Sequence, residues 1–291
     1  MSVEIHMEAM LPQEMAEKAE AAGVRKAALS FLPLFALAVL AGAFVGLGAM
    51  FATTTVAASA TLPYGVARLL FGLVFCLGLI LVVIGGAELF TGNNLIVMAW
   101  ASHKISPRAL LRNWLIVYVG NFVGALGTAG LVFLGRQYAA GAGSVGAAAL
   151  TIAIGKVNLG FVQALVLGML CNALVCLAIW LTYSARSVAD KILAIIFPIS
   201  AFAAAGFEHS IANMYFIAYA LLIKTFDPAF AVAKKIDLSS LTWGSFLMKN
   251  LLPVTIGNIF GGAVLVAAMY WFIYLRKSNA AGSPDTRLKN I

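Results

Sequence analysis

Long apolar runs alternate with short charged stretches along the chain. A helix that crosses a bilayer needs about 20 consecutive apolar residues, and six runs reach that length. The pattern therefore predicts six transmembrane helices, with both chain ends on the same side of the membrane. The six runs cover residues 27–58, 69–102, 113–135, 157–185, 192–223 and 250–275.

The second and fifth runs are longer than a straight crossing requires. Residues 69–102 and residues 192–223 each contain a single glutamate as their only charge. Glycines lie inside both runs, at Gly86 and Gly92 in the second and at Gly206 in the fifth. Because glycine tolerates backbone conformations that end a helix, these positions favour broken helices whose middle unwinds.

The first three runs resemble the last three. The segment GAELFTGNN begins at Gly86 and GFEHSIANM begins at Gly206, and RNWLIVYVGNFVGA similarly matches KNLLPVTIGNIFGGA. Three crossings in each half reverse the orientation of the second half, so the sequence predicts an all-α membrane protein with an inverted 3+3 repeat. The recurring pairs are Gly86 with Gly206, Glu88 with Glu208, Asn93 with Asn213, Asn113 with Asn250, and Asn121 with Asn258.

Inverted repeats often place a binding site near the membrane midplane, at discontinuous helices in matching positions. Non-helical backbone at that depth is tolerated only where it is buried in protein or lines a cavity. We therefore expect the broken second and fifth helices to meet near the centre of a pore. The predicted helix-break residues are Glu88, Gly86, Gly92, Asn93, Gly206 and Asn213.

Composition and charge also indicate a membrane protein. Hydrophobic residues make up 63% of the chain and charged residues 10%, with a mean hydropathy of +0.99. The net charge of +8 comes from short loops rather than from one basic face, so the expected partner is the lipid bilayer and not nucleic acid. The positive-inside rule places both termini in the cytoplasm of a bacterial-type inner membrane, although the basic fifth loop opposes that assignment.

Ionisable groups inside apolar runs are candidate functional residues, because they are costly within a membrane. Glu88 and Glu208 occupy matching positions, which favours a structural role as clamps on the unwound backbone. His209 has no such mate, since Leu89 stands at the matching position. His209 is either a buried histidine with satisfied hydrogen bonds, or a proton donor or substrate contact.

Three cysteines, Cys76, Cys171 and Cys176, lie within apolar runs and are expected to be packing residues. The sequence shows no metal-ligand cluster, no disulfide framework and no P-loop, so we expect no metal, no cofactor and no enzyme activity. A single intramembrane histidine also gives too few ligands for haem, which argues against a membrane subunit of a redox enzyme.

Three segments, GAELFTGN, GFEHSIANM and VTIGNIFGG, resemble signature sequences of the formate/nitrite transporter family. The resemblance covers about residues 10–276 of the chain. NLLPVTIGNIFGG, YSARSVADK and MLPQEMAEKAE are most similar to the formate channel branch of this family. The resemblance implies a homopentamer of aquaporin-like six-helix protomers, each with its own pore for formate or a similar small monocarboxylate or anion.

The resemblance also implies roles for individual residues. Thr91 is expected to face the pore and to bond His209, and Lys156 to draw the anion into an electropositive vestibule. The chain departs from the formate branch after Lys156, where it reads KVNLGF. Apolar slits are expected to be lined by Phe75, Leu79, Leu89, Phe90 and Phe202, and the path to be surrounded by Lys156, Asn172, Glu208 and Asn258.

An anion crosses a dry constriction only at a desolvation cost of several kcal/mol or more. A pore can either line the path with positive dipoles or protonate the anion, so that the neutral acid passes. His209 between two apolar slits favours the second route, with Thr91, Asn172 and Asn258 orienting the imidazole. The sequence thus predicts a formate channel with pH-dependent, proton-coupled passage through a central histidine.

Other substrates and another class of pore remain alternatives. Nitrite and hydrosulfide are alternative substrates within the same family. A neutral-solute, aquaporin-like pore would also explain six spans with inverted halves. Such a pore usually carries two Asn-Pro-Ala motifs, however, and the sequence contains none.

The chain divides into three predicted parts. Residues 1–26 form a cytoplasmic amphipathic helix, residues 27–277 the six-helix channel domain, and residues 278–291 a cytoplasmic tail. The N-terminal helix is either a surface anchor or a plug at the cytoplasmic mouth that moves with pH. The glycine-rich stretch AAGAGSVGAAAL, which begins at Ala139, is expected to be a flexible external connection.

Overall fold

A computed structural model describes residues 9–276 of the chain. The predicted tail, residues 278–291, and residues 1–8 of the predicted N-terminal part lie outside the described residues. The helices are α1 Pro12–Ala28, α2 Phe31–Thr55, α3 Tyr64–Gly85, α4 Val97–Ala101, α5 Pro107–Leu134, α6 Ser144–Val157, α7 Phe161–Ser184, α8 Val188–Ala205, α9 Ser210–Phe226, α10 Pro228–Ala233 and α11 Leu252–Ile259. Short 3₁₀ turns cover Ser59–Thr61, Gly92–Ile96 and Gln137–Ala139, and π-helical turns flank α11 over Ser245–Leu251, Phe260–Ala268 and Trp271–Leu275.

Within residues 9–276, six helices are long and apolar enough to cross a membrane, which confirms the six predicted spans. The first half contributes α2, α3 and α5, and the second half contributes α7, α8 and a continuous helix over Ser245–Leu275 that contains α11. Many large apolar side chains on these spans are exposed, among them Leu115, Leu131 and Phe197. An apolar surface of this extent is typical of contact with lipid, and the chain is a multi-pass membrane protein.

Both long apolar runs are broken where the sequence predicts. Helix α3 ends at Gly85 and α8 ends at Ala205. The next residue in each case is a glycine in the left-handed region, with φ +77° at Gly86 and +78° at Gly206. Glycine commonly follows a helix C-terminus in this conformation because it lacks a Cβ. Beyond the breaks, the second run continues as a 3₁₀ turn and the short α4, whereas the fifth continues as α9 with His209 as its N-cap.

The glycine-rich stretch after Ala139 is not the flexible connection that its composition suggested. Its first residues are irregular, with a left-handed glycine at Gly143, but Ser144–Val157 forms α6. The buried residues of α6 recur at helical spacing, so tertiary burial outweighs the low helix propensity of glycine. Helix α6 precedes α7 as α1 precedes α2, and each of these leading helices carries a lysine in its last turn, Lys26 or Lys156.

Small residues allow the spans of each half to approach closely. In the first half an added Cβ at Gly124 of α5 would clash with the carbonyl oxygen of Val39 in α2. In the second half an added Cβ at Gly261 would clash with the carbonyl oxygen of Met169 in α7. Small residues at helix crossings are a common means of close packing in membranes. The two halves are therefore built alike at these contacts.

The amphipathic helix α1 packs against the spans through its apolar face. Met15 and Ala19 are buried in a cluster that includes Trp180. A buried glutamate of α1, Glu20, forms an ion pair with Lys104, which follows α4. Helix α1 is therefore joined to both halves of the chain by apolar and ionic contacts.

Candidate functional site

Two cavities and a small chamber adjoin one another between the two halves. Cavity 1 has a volume of about 300 Å³ and is lined by α1, the end of α3, the break after it and α7. Cavity 2 has a volume of about 260 Å³ and is lined by α3, α6, α8 and α9. The central chamber holds about 10 Å³, close to the smallest space that admits one water molecule. Its walls are Val45, Phe75, Leu79, Leu89, Val175, Ile199, Phe202 and His209.

The central chamber shares walls with both cavities. Leu89 lines the chamber and cavity 1, whereas Phe75, Phe202 and His209 line the chamber and cavity 2. The rings of Phe75 and Phe202 meet edge to face with centroids 5.7 Å apart, and the Phe202 ring stacks on the imidazole at 5.9 Å. A leucine therefore separates the chamber from cavity 1, and two phenylalanines separate it from cavity 2.

A buried asparagine of the sixth span holds the unwound backbone on both sides of His209. Asn258 donates from Nδ2 to the carbonyl of Glu208 at 2.9 Å and accepts at Oδ1 from the N–H of Ser210 at 2.9 Å. Its Nδ2 also donates to the carbonyl of Gly168 in α7 at 2.8 Å. Asn258 thereby fixes the peptide from which the imidazole projects into the chamber.

The matching asparagine of the third span does the same around Leu89. Asn121 donates from Nδ2 to the carbonyl of Glu88 at 2.9 Å and accepts at Oδ1 from the N–H of Phe90 at 2.9 Å. Its Nδ2 also donates to a carbonyl of α2 at 2.7 Å. Equivalent clamps therefore present Leu89 and His209 to one chamber from opposite breaks.

A ring of polar side chains surrounds the carboxylate of the first half. Lys26 Nζ lies 2.7 Å from Glu88 Oε1 and 3.1 Å from Asn93 Oδ1, to which it donates. Asn93 donates from Nδ2 to Glu88 Oε2 at 2.7 Å and to Asn113 Oδ1 at 2.9 Å. Asn113 closes the ring by donating to the carbonyl of Lys26 at 3.1 Å.

The second half repeats this arrangement with two differences, of which the first is that Nδ2 of Asn250 also donates to Glu208 Oε2, at 3.1 Å. Lys156 Nζ lies 2.8 Å from Glu208 Oε1, and Asn213 donates from Nδ2 to Glu208 Oε2 at 2.7 Å and to Asn250 Oδ1 at 2.8 Å. Asn250 donates to the carbonyl of Lys156 at 2.9 Å. The second is that Oδ1 of Asn213, unlike Oδ1 of Asn93, has no hydrogen-bond partner among the described residues.

The prediction that the two glutamates clamp the unwound backbone is wrong. Glu88 and Glu208 bond lysine and asparagine side chains through their carboxylates, while Asn121 and Asn258 hold the backbone. A buried carboxylate inside a membrane needs a cation because an unpaired charge there is costly. The sequence interpretation missed Lys26 as that cation, since it treated the N-terminal helix as separate from the channel domain.

His209 uses both ring nitrogens. Nδ1 accepts the N–H of Ala212 at 3.1 Å and so caps the N-terminus of α9. Because Nδ1 is an acceptor, the neutral ring carries its proton on Nε2, which donates to the hydroxyl of Thr91 at 3.0 Å. An imidazolium would carry a proton on both nitrogens and would lose the helix cap.

Asn172 holds the loop that carries Thr91. Its Nδ2 donates to the carbonyl of Asn258 at 2.7 Å, to Oδ1 of Asn94 at 2.9 Å and to the carbonyl of Thr91 at 3.3 Å. Asn172 is fully buried. It therefore connects the break of the first half to the clamp of the second.

Cations outnumber carboxylates around both cavities. The resulting positive potential concentrates anions at each mouth. Burial, followed by repulsion from neighbouring cations including Lys191 and Arg186, lowers the pKa of Lys18, which lies outside the spans on α1. The charged residues are Lys18, Lys26, Lys191 and Glu88 around cavity 1, and Arg68, Lys156 and Glu208 around cavity 2.

The structure brings most of the predicted site residues together at the chamber and its two mouths. Thr91, Asn172 and Asn258 line neither cavity nor the chamber, so Thr91 does not face the route as expected, although its hydroxyl bonds His209.

Phe90 lines none of these spaces either. Its ring packs edge-on against Tyr118 and Trp114, with centroids 4.9 and 6.0 Å away. Gly92 lines cavity 1 beside Ile179 rather than the chamber.

The sequence interpretation missed Arg68 as part of the site. Arg68 donates to the carbonyls of Ala203 and Ala204 at 2.5 and 2.8 Å, and its guanidinium lies 5.0 Å from the centroid of the Phe71 ring. A cation at a helix C-terminus is favourable, and here it caps α8 just before the break. The sequence does contain a signal for this role, because Arg68 is a single arginine directly before the second apolar run.

Comparisons with known proteins find similarity over most of the chain. A family model described as formate/nitrite transporter matches residues 13–272. The formate channel FocA of Escherichia coli K12 is 45% identical over 274 residues, which are 93% of this chain and 96% of that protein. The formate channel FocA of Haemophilus influenzae is 39% identical over 269 residues, 91% of this chain and 95% of that protein. A solved structure described as a pentameric formate channel with formate bound is 44% identical, has a TM-score of 0.80, and covers 84% of this chain and 98% of its own.

Proposed function

The chain belongs to the formate/nitrite transporter family, and on this premise we propose that it is a channel that conducts formate across the cell membrane. As a member of that family it is a membrane transport protein and not an enzyme. The observation that carries the proposal is the central chamber, where His209 is the one polar side chain among eight wall residues. Space for about one water molecule fits a small permeant and no hydrated ion.

The route begins in a cavity whose cations concentrate the anion. Passage into the chamber removes most of the water from the permeant, at a cost that apolar walls do not compensate. The Nε2–H of His209 is the donor that can offset this loss, once the permeant displaces the hydroxyl of Thr91 as its partner. Asn172 and Asn258 keep both groups in place. A formate hydrogen-bonded to Nε2 shares the proton and spreads its charge.

Full transfer of a proton to formate requires more than the observed state of His209. The neutral ring has one proton, and its loss would leave an imidazolate. A transferable proton therefore needs the imidazolium, which forms only if Nδ1 gives up its bond from Ala212. Losing that cap costs about 1 kcal/mol, and a charged ring among apolar walls adds a larger desolvation cost. The imidazolium is therefore not the resting form. We propose that sharing of the Nε2 proton draws formate into the chamber. The neutral acid then forms when His209, with its cap open, takes a second proton from hydronium in cavity 2 and gives one proton to formate.

Formate-loaded proteoliposomes test the proposal, with internal pH and membrane current recorded together. We expect a formate gradient to change internal pH without a matching current in the wild type, and His209→Asn to abolish the change. His103→Asn is the matched control, because His103 is exposed in a loop and lines neither the cavities nor the chamber. A large current that survives His209→Asn would overturn proton sharing and leave a plain anion channel. Absence of formate flux would favour nitrite or hydrosulfide instead.

Assembly and orientation belong to the same proposal. The pentameric state of the similar solved structure supports a homopentamer with one pore in each protomer. The loop charges support cytoplasmic termini, which places cavity 1 on the cytoplasmic side. Residues 27–277 would then form the channel domain. Helix α1 forms one wall of cavity 1, so it is placed to narrow that mouth if it shifts.

A further inference from the structure

Helix α3 carries two walls of the central chamber, Phe75 and Leu79, and packs against both α8 and α2. Its contact with α8 runs through Gly72, because a Cβ at this position would lie 2.4 Å from the carbonyl oxygen of Ser200. An ordinary contact needs at least 3.4 Å. A side chain in place of Gly72 would therefore force α3 and α8 apart by about 1 Å.

The contact at Gly72 lies beside the constriction between the chamber and cavity 2. Phe75 is three residues after Gly72, and Phe202 is two residues after Ser200. The rings of Phe75 and Phe202 meet edge to face, with centroids 5.7 Å apart. Ile199, the residue before Ser200, is a further wall of the chamber. The distance between α3 and α8 at this contact therefore sets the distance between the two rings.

A second close contact holds another face of α3 against α2. A Cβ at Gly48 of α2 would lie 2.8 Å from the backbone nitrogen of Gly78 and 2.9 Å from the carbonyl oxygen of Phe75. A Cβ at Gly78 would lie 3.2 Å from the Cα of Val45, which is the wall of the chamber on α2. Glycines on both helices therefore let the wall on α2 approach the walls on α3.

Size discrimination has to come from these walls. All monocarboxylates share the carboxyl group that the Nε2–H of His209 would bond, so this donor does not distinguish formate from a larger acid. They differ in the substituent on that group, which must fit among the apolar walls of a space of about 10 Å³. An apolar pocket discriminates one extra methylene by about 10–200-fold. A helix displacement of about 1 Å beside so small a space would relax that discrimination.

We propose that Gly72 and Gly78 are positioning residues that set the size limit of the pore. By holding α3 against α8 and α2, they make the chamber discriminate against monocarboxylates larger than formate. Neither glycine lines the chamber or a cavity, so both act only through the walls that the three helices carry. This role rests on the proposed function, in which formate is the permeant.

Fluxes of formate and of acetate into proteoliposomes of the full-length protein test the proposal. We expect Gly72→Ala to raise the ratio of acetate flux to formate flux about tenfold, the lower end of the discrimination that one methylene provides. Gly78→Ala should raise the ratio less, because its Cβ contact of 3.2 Å requires a smaller displacement. The ratio is taken within each variant, so the amount of folded protein does not affect it.

Gly261→Ala is the matched control. Its Cβ would lie 2.1 Å from the carbonyl oxygen of Met169, so it forces a comparable displacement between the sixth span and α7. None of the eight wall residues of the chamber belongs to the sixth span, which can therefore yield without moving a wall. We expect this variant to lose stability and to keep the wild-type flux ratio.

An unchanged ratio in folded Gly72→Ala and Gly78→Ala would overturn the inference, and so would an equal rise in Gly261→Ala. If Gly72→Ala does not fold, Gly78→Ala decides, because its neighbour has to move by only a few tenths of an ångström. Formate flux in the wild type separates the two proposals. Absence of that flux removes the proposed function, whereas formate flux with unchanged ratios removes only the role of the glycines.

Discussion

The two helix breaks are the most instructive comparison within the molecule. Each has a left-handed glycine, a buried glutamate paired with a lysine, and an asparagine clamp from the last span of its half. They differ in the side chain that the clamped backbone carries, which is Leu89 in the first half and His209 in the second. They also differ in whether the lysine saturates the nearby asparagine. The contacts that both breaks share satisfy buried polar groups of the unwound backbone and the carboxylate. Of the positions that differ, His209 is the one on which the proposed function depends.

The shared parts follow from the membrane environment. Unwound backbone at this depth has no water to bond, so side chains must satisfy its polar groups. A glutamate placed there requires a cation, and an asparagine can donate and accept at once. The same constraint acts on both halves, and both halves meet it with the same residues. Three changes to these pairs test how equivalent the halves are.

The largest expected effect comes from removing a backbone clamp. Asn258→Ala would strand the carbonyl of Glu208 and the N–H of Ser210, whereas the carbonyl of Gly168 keeps its bond within α7. Each stranded group costs about 1–3 kcal/mol, so the two together should lower the free energy of unfolding by about 2–6 kcal/mol. Thermal unfolding in detergent, followed by circular dichroism, measures the loss.

Asn121→Ala is the matched variant of the first half. It strands the same two kinds of group on either side of Leu89, so a comparable loss of stability is expected. A much smaller loss in one variant would break the equivalence of the two clamps. Unchanged stability in both would show that other contacts hold the breaks.

The next effect comes from neutralising the buried carboxylates. The side chain of Lys156 is 15% exposed and that of Lys26 is 31% exposed. Breaking a buried ion pair by removing one partner costs about 3–5 kcal/mol, and solvent reduces the cost. We therefore expect Glu208→Gln to lower the unfolding temperature more than Glu88→Gln does. The reverse order in the same detergent would contradict the link between burial and the strength of each pair.

The smallest effect comes from the glycines at the breaks. Alanine in the left-handed region costs about 1–2 kcal/mol, so Gly86→Ala and Gly206→Ala should both be destabilising. Gly206→Ala should cost slightly more, because its Cβ would lie 3.4 Å from Nη2 of Arg68, whereas nothing lies within 4 Å at Gly86. Unfolding temperatures measure both changes.

Gly130→Ala serves as the control for these two variants. Gly130 lies inside α5 with open space around its Cβ position, so alanine there should be neutral or stabilising by about 0.5–1 kcal/mol. Break variants as stable as this control would mean that the backbone at the breaks adjusts without strain.

Much of the fold could be predicted from the sequence because its signals are local. Apolar runs separated by charged stretches predicted the six spans. Glycines inside the two runs that are longer than a straight crossing requires predicted both breaks. Helix α6 could not be predicted in this way. The glycines around its start are typical of a loop, although its alanines favour a helix, and its stability comes from burial against the bundle, which composition does not encode.

The candidate site was less accessible to sequence reasoning. The repeat showed that Glu88 and Glu208 are equivalent. Equivalence does not reveal which cation pairs with each carboxylate, so Lys26 was overlooked because it lies in a helix outside the predicted spans. The contact between Thr91 and His209 was expected from a family resemblance rather than from spacing. Wall residues such as Val45 gave no signal, because a uniformly apolar run does not distinguish a chamber wall from a lipid-facing surface.

The two cavities at the ends of the route are lined by different charged residues, and this asymmetry affects the direction of flow. Two identical halves in opposite orientation would pass a permeant equally under gradients of either sign. Here three lysines face cavity 1, an arginine and a lysine face cavity 2, and His209 borders cavity 2 alone. The free energy of the permeant along the route is therefore asymmetric between the two ends. We expect such a profile to make the pore weakly rectifying. Flow of the permeant in one direction is then favoured under a steep gradient, and there is no net flow at equilibrium.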